Sequence, residues 1–220
     1  MPSTPTELHH QAVLLQLADT GLPTGGFAHS FGLESYLAAE TVTDEQGVED
    51  WLRAHLQTQL ACTDALAIRA AVTGELQVRE VDALLDAAVV PAQVRRASRT
   101  MGTQLAKLLP AALPEAGEGP WPRHHPLVFG LAATRCGVPL TATIHAYLTG
   151  SVASLVQNAV RAVPLGQQAG QRILGRLRPD IAATALEVLD RPWADFGAVG
   201  PALEIAQMRH EHLRARMFMS

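Results

Sequence analysis

The spacing of apolar residues along this chain is helical nearly everywhere. Apolar positions recur at intervals of three and four, Ala and Leu are abundant, and no stretch alternates apolar and polar residues as a half-buried strand would. This pattern predicts helices over residues 8–19, 27 or 30–39, 43–61, 66–72, 78–88, 91–109, 126–136, 139–163, 167–177, 179–189 and 201–217. No repeat of fixed period relates them. We therefore expect one all-α domain over residues 1–220, an irregular helical bundle of roughly ten helices.

Breaks in the periodicity predict the connections. The residues Thr43-Asp44-Glu45-Gln46 have the form of a capping box, and Thr63 is the predicted cap of the following helix. Residues 110–125 contain four prolines and two glycines, which predicts a hinge or an exposed loop. We also expect a flexible N-terminus and a second loop over residues 191–200.

Composition narrows the range of possible functions. Of the 220 residues, 48% are hydrophobic and 17% are charged, and the net charge is −4. This balance predicts a folded protein and argues against nucleic acid, because binding to phosphates needs clustered Lys and Arg. The chain has neither a signal-peptide pattern nor a run of about 20 apolar residues that could span a membrane, so we expect a soluble cytoplasmic protein. Cys62 and Cys136 lack metal-binding or disulfide spacing and are predicted to be buried.

The most unusual stretch is the break between the first two predicted helices. Glycines permit positive φ angles and close backbone approach, and a proline fixes its own φ angle. The break therefore predicts a corner at which two helices meet closely. Its structural motif comprises Pro23, Gly25, Gly26, Phe27, His29, Ser30, Phe31, Gly32 and Glu34.

Enzyme motifs are absent from the sequence. There is no phosphate-binding GxxxxGK[ST], no GxSxG and no HExxH, and His29 and Glu34 are five residues apart, which does not place them on one helix face as metal ligands. The adjacent His124 and His125 are a weak metal candidate, and a surface position is favoured for them. We predict no catalytic residue, no cofactor and no metal site.

The long helix over residues 139–163 carries a polar stripe of Ser151, Ser154, Asn158 and Arg161. Small polar residues on one stripe suit either a close helix contact or a partner, although a solvated face is the alternative. His145 lies on the opposite, apolar stripe and is predicted to be a hydrogen-bonded core residue. Beyond this helix, Pro164 and Gly166 mark a turn, and Arg161 and Gln167 supply donors that could bind a carboxylate or a partner's backbone.

The end of the sequence is apolar, with basic residues before it. The residues Met217-Phe218-Met219-Ser220 follow Arg216, whereas chain ends are usually polar. This composition predicts a tail that docks on another surface. A half-buried terminal helix is the alternative.

Several of these motifs together resemble one known family, the urease accessory protein UreF. The resemblance rests on Leu17 to Asp19, Pro23 to Glu34, Arg95 to Gly102 with Leu105, His125-Pro126, Asn158 to Gln171, Met208 to Glu211 and Arg216 to Ser220. It covers nearly the whole chain in the same order.

The resemblance implies an all-α, homodimeric, non-enzymatic protein that works with two further accessory proteins, UreD (also called UreH) and the GTPase UreG. The assembly delivers nickel to the urease apoprotein, and the C-terminal tail of the family docks on UreD/UreH. An alternative is a metallochaperone that binds nickel itself through His29, His124 or His210. The partner-binding residues that the resemblance implies are Tyr36, Arg161, Gln167, Arg209, His210, Glu211, Arg216, Met217, Phe218 and Ser220.

Overall fold

The computed structural model describes residues 4–220, and in this range the fold is all-α, as the sequence predicts. Short 3₁₀ turns cover Gly26–Ala28, Pro114–Ala116, Trp193–Asp195 and His210–His212. The predicted flexible N-terminus falls mostly outside the described residues. Ten α-helices run in the order α1 (Pro5–Leu17), α2 (Leu33–Ala38), α3 (Glu45–His55), α4 (Leu66–Thr73), α5 (Val78–Ala88), α6 (Ala92–Ala112), α7 (His125–Arg135), α8 (Leu140–Ala162), α9 (Gln167–Asp190) and α10 (Pro201–Arg209).

The core forms around α8. One side of this helix buries Leu148, Val152, Leu155 and Ala159, all at most 3% exposed, at the helical spacing noted in the sequence. Both α9 and α7 pack against α8, and α9 has the larger contact. A smaller apolar cluster joins α4 to α5. Cys62 and Cys136 are both buried and unpaired, as predicted.

The segment between α3 and α4 is a π-helix, Leu56–Ala65, so the chain stays helical from residue 45 to residue 73. The prediction of a helix end near residue 61 and a cap at Thr63 was wrong. Wider π turns are rare and often occur at functional sites. Seven of its ten residues are buried, and it places Gln59 and Asp64 in the wall of a cavity.

Several helix boundaries differ from those predicted, in part because tertiary packing outweighs residues such as proline that disfavour a helix locally. α9 continues through Pro179, which does not divide it into two helices, and α6 includes Pro110. Asp44, and not Thr43, caps α3 by accepting a hydrogen bond from the Gly47 amide. The last predicted helix ends at Arg209, eight residues early, and a 3₁₀ turn over His210–His212 follows it. The predicted core residue His145 is exposed.

The C-terminal end of the Pro-rich loop is held by its backbone, so residues 123–125 are not a free excursion, although the Arg123 side chain is exposed. A Cβ atom on Gly102 in α6 would lie 2.2 Å from the Arg123 carbonyl oxygen, which means that the loop crosses α6 in direct backbone contact. Asp82 accepts hydrogen bonds from the amides of Arg123 and His124. His124 is fully buried, and the expectation of a surface position for it was wrong.

Candidate partner-binding face

The break between α1 and α2 is a tight corner whose backbone needs glycine. Gly25 and Gly32 both have φ angles of +94°, and Phe31 between them has a φ of +50°. Gly32 also lies against α10: a Cβ atom there would come within 2.8 Å of Gln207 Cγ. The glycine pattern in the sequence therefore reflects turn geometry, as predicted, and also a close contact, which the structure places against α10. We call residues 21–34 the corner.

Gln207 of α10 connects the corner to the π-helix. Its side-chain amide donates to the Phe31 carbonyl oxygen at 3.2 Å and to Gln59 Oε1 at 2.6 Å, and Gln207 is 2% exposed. Ser35 Oγ in α2 donates to the Ala206 carbonyl oxygen at 2.6 Å. These buried polar contacts fix α10 on the corner, since an unmet polar group there would be costly. No single motif in the sequence indicates this role for Gln207.

The polar stripe of α8 lies under the corner and is not a solvated face. Asn158 is fully buried and donates from Nδ2 to the His29 carbonyl oxygen at 2.7 Å. Ser154 Oγ would lie 3.4 Å from a Cβ atom on Gly26. Arg161, at the exposed end of the stripe, donates to the Phe27 carbonyl oxygen at 3.2 Å. Of the two alternatives to a solvated face, a close contact or a partner, Ser154 and Asn158 make a close contact within the chain.

The last five residues, 216–220, form a tail that lies across the corner. The Ser220 carbonyl oxygen accepts hydrogen bonds from the amides of Ser30 and Phe31 at 2.5 and 3.0 Å, and from Ser30 Oγ at 2.7 Å. The Met219 amide donates to the Ala28 carbonyl oxygen at 2.7 Å. The His29 Nδ1 atom lies 2.8 Å from Ser220 Oγ. The tail thus pairs with the corner through its backbone.

Glu34 clasps the beginning of the tail. Its carboxylate accepts hydrogen bonds from the amides of Met217 at 2.6 Å and Phe218 at 3.2 Å, and from His210 Nε2 at 2.8 Å. His210 is fully buried and also contacts Gln93 Oε1 at 2.9 Å. One carboxylate therefore joins α2, the turn after α10 and the tail.

The side chains of the tail alternate between the corner and solvent. Phe218 and Ser220 are 4% and 2% exposed, whereas Met217 and Met219 are 57% and 68% exposed. The Arg161 guanidinium lies 5.3 Å from the centre of the Phe218 ring, which is cation–π geometry. The docked tail therefore presents two flexible apolar side chains outward while its inner side chains are held by the bundle.

Other residues of the predicted partner set lie in several environments. Tyr36 is half-buried in α2, and Gln167 is exposed at the start of α9, after the exposed turn formed by Pro164 and Gly166. Exposed side chains near the tail are those of Arg209, Glu211 and Arg216, followed by Met217. His210, Phe218 and Ser220 are buried within this chain, so their side chains are not accessible at its surface.

The histidines considered as nickel ligands are used in internal packing. Burial lowers the pKa of His29 and that of His124 below the usual range. The His124 ring lies between Ser98 Oγ at 3.0 Å and Asp86 Oδ1 at 3.2 Å. Across residues 4–220, no three His, Cys, Asp or Glu residues are grouped so that they could hold a metal ion.

These features are typical of a protein that presents a binding surface. The sequence motifs serve contacts within the chain, and the side chains exposed beside them are mostly apolar or basic, with Glu211 as an acidic member. No helix among the described residues is long and apolar enough to cross a membrane.

Comparison with known proteins supports this class and gives the family. The UreF family model matches residues 42–178. The urease accessory protein UreF of Arthrobacter sp. (strain FB24) is 47% identical, and the match covers 96% of this chain and 97% of the relative. The UreF of Corynebacterium glutamicum (strain R) is 39% identical over 97% of this chain and 100% of the relative. That of Bacillus sp. (strain TB-90) is 36% identical over 94% and 97%.

The chain therefore belongs to the UreF family. By family it is a urease accessory protein and not an enzyme, as the sequence motifs imply.

Proposed function

We propose that this chain is an adaptor in urease maturation. Together with UreD/UreH it recruits the GTPase UreG and couples the GTP cycle of UreG to nickel insertion into the urease apoprotein, acting as a homodimer in the cytoplasm. Membership of the UreF family supports the maturation role. The single observation that carries the adaptor role is the docked position of the tail. The corner binds one side of the tail, and Met217 and Met219 are exposed on the other side.

The tail has the properties of a recognition segment for UreD/UreH. Its backbone is fixed by the corner, so a partner would lose little conformational entropy on binding it. The outward methionines adapt readily to the shape of an apolar surface. Two further exposed apolar residues, Ile205 and Met208, lie on α10, which packs on α2 beside the corner. Exposed apolar side chains on one part of a surface favour protein binding.

Arg161 is our principal residue for UreG recruitment. It is exposed, lies beside the corner and contacts both the Phe27 carbonyl oxygen and the Phe218 ring. A twofold-symmetric dimer would present two copies of this face and hold two UreG molecules in a defined orientation. Holding them together raises their effective concentration and favours a nucleotide-dependent UreG dimer.

The tail can be tested with the double variant Met217→Asp/Met219→Asp. Both side chains point away from the corner, so the fold and the thermal midpoint should change little. We expect capture of the variant by tagged UreD/UreH to fall at least tenfold. Leu186→Asp is the matched control, because Leu186 is similarly exposed at 59% but lies on α9. Equal capture of the double variant and the control would remove the tail from the partner face.

Arg161→Ala tests the recruitment of UreG separately. We expect UreG pull-down by the UreD/UreH-bound variant to be lost while UreD/UreH capture is retained. Gln171→Ala, an exposed polar residue on α9, is the control. Unchanged UreG recruitment by Arg161→Ala would exclude this residue from the recruiting surface.

The nickel-binding alternative has no supporting observation, because His29, His124 and His210 are all buried and form hydrogen bonds within the chain itself.

A further inference from the structure

A partly open cavity of about 100 Å³ lies behind the corner, between the corner, the π-helix, α7 and α8. Apolar residues such as Leu17, Leu22, Leu60 and Leu155 form much of its wall. The rest of the wall is polar. It includes side chains that have no part in the accessory role proposed above. A space of this size holds a few waters or one small molecule.

The polar wall contains a carboxyl group without a basic partner. Asp64 Oδ2 accepts a hydrogen bond from the Tyr147 hydroxyl at 2.7 Å, and no other side-chain donor within residues 4–220 reaches this carboxyl group. Asp19 lies at the exposed edge of the same cavity. Among the described residues that line it, none is Lys or Arg. The cavity therefore has two carboxyl groups in its wall, and no Lys or Arg among the described lining residues offsets their charge when they are ionised.

An unpaired buried nitrogen gives independent evidence for a ligand. His55 lines the cavity and is 2% exposed, and its Nδ1 atom has no hydrogen-bond partner within residues 4–220. Burial lowers the pKa of His55 and that of His125 to about 4, so both rings are neutral near pH 7 and each offers an unprotonated nitrogen. A buried polar atom of this kind normally has a partner.

Aromatic rings complete the wall. Phe129 and Tyr147 meet edge to face with their centres 5.3 Å apart, and His125 lies 5.7 Å from Tyr147. The faces of such rings attract cations. A carboxylate, neutral acceptor nitrogens, hydroxyl groups and aromatic faces together suit a small cation that donates hydrogen bonds in several directions.

We propose that this cavity binds a small monovalent ammonium-type cation, either ammonium or a primary amine, against the Asp64 carboxylate. The ammonium group donates to Asp64, and His55 Nδ1 serves as a second acceptor in the tautomer that carries its proton on Nε2. A divalent metal fits less well, because no three His, Cys, Asp or Glu side chains within residues 4–220 converge as ligands. The site lies beneath the partner-binding face, with Gly26, Phe27 and Phe31 of the corner in its wall, but the proposal does not depend on the adaptor role.

Binding should depend on pH in a defined sense. The titratable groups facing Asp64 are Tyr147 from α8, His125 from α7, His55 from α3 and Asp19 at the cavity edge. Burial raises the pKa of Asp64 to about 7, and the histidines are neutral over this range, so Asp64 is the group that changes charge. Because a proton and the cation compete for the same carboxylate, affinity should be about tenfold higher at pH 8 than at pH 6.

The experiment is a titration of the full chain with methylammonium chloride, followed by NMR chemical shifts of residues around the cavity. Sodium chloride at equal ionic strength and neutral acetamide are the ligand controls. We expect saturable shifts with methylammonium alone, about tenfold weaker binding at pH 6, and loss of the shifts in Asp64→Asn. Asp190→Asn, which alters an exposed carboxylate at the end of α9, should behave as the wild type.

Several results would overturn the proposal. Equal shifts with sodium chloride or acetamide would show a salt or solvent effect. Binding that is independent of pH would exclude the Asp64 carboxylate, and this measurement on the wild-type chain holds even if Asp64→Asn does not fold. Saturation by Ni²⁺ at the same residues and at lower concentration would make the cavity a metal site instead.

Discussion

Replacing Gly32 by Ala separates two reasons for having glycine in the corner. Gly25 and Gly32 have the same φ angle, +94°, so an added methyl group strains the backbone about equally at both positions. Their surroundings differ. A Cβ atom on Gly25 meets nothing within 4 Å, whereas one on Gly32 comes within 2.8 Å of Gln207 Cγ and 3.4 Å of the Gln207 amide nitrogen. Gly25→Ala is therefore a matched control for backbone strain alone.

The expected magnitudes follow from these contacts. A left-handed conformation costs a non-glycine residue about 1–2 kcal/mol, and this applies to both variants. In Gly32→Ala, the Gln207 side chain must also leave its preferred rotamer, at about 1 kcal/mol. The hydrogen bonds from Gln207 to Phe31 and Gln59 then weaken, which costs about 1 kcal/mol of stability. We expect Gly32→Ala to be less stable than Gly25→Ala by about 2 kcal/mol, which lowers the melting temperature by a further 4–8 °C or so.

The assay is thermal and urea unfolding of both variants, together with amide hydrogen exchange over residues 203–220. Gly32→Ala should increase exchange in α10 and the tail, while Gly25→Ala should leave exchange there close to wild type. Equal loss of stability and equal exchange in the two variants would refute the reasoning, because the contact with Gln207 would then contribute nothing.

Three further predictions concern single side chains. The stability of Asp64→Asn should depend less on pH than that of the wild type, because burial raises the pKa of Asp64 to about 7 and the unfolded chain loses this proton at lower pH. Between about pH 4 and 7, the free energy of unfolding of the wild type should therefore fall relative to that of the variant. Urea titrations should show a fall of up to roughly 1.4 kcal/mol per pH unit. Arg69→Met should cost about 3 kcal/mol in urea unfolding, because the buried guanidinium caps the end of α9 through the Val188 and Arg191 carbonyl oxygens; a loss below 1 kcal/mol would contradict that role. Glu34→Gln should speed hydrogen exchange at the Met217 and Phe218 amides about tenfold without unfolding the core, and unchanged exchange would exclude the Glu34 clasp.

The helical fold could be predicted from the sequence because its signals are local. Apolar spacing fixes which side of α8 is buried, and the glycines of the corner have the conformations and close contacts that glycine alone supplies easily. Helix ends were predicted less well. Pro110 and Pro179 remain within helices, since tertiary packing offsets the lost backbone hydrogen bond.

Contacts distant in sequence could not be predicted. Gln207 meets Gln59 across 148 residues, and Asp64 meets Tyr147 across 83, with no motif linking either pair. The π-helix that directs Gln59 and Asp64 inward has no sequence signature comparable to a capping box. The burial of His124 depends on the contact of its loop with Gly102 and on Asp82, which becomes visible only once α5 and α6 are placed.

The central claim is that this chain joins other accessory proteins through its tail-and-corner face. The most direct measurement is co-expression of the chain with UreD/UreH and UreG, followed by size-exclusion chromatography with light scattering. The account predicts one stable assembly that contains all three proteins, and its loss in Met217→Asp/Met219→Asp. Elution of the wild-type chain apart from both partners would contradict the account.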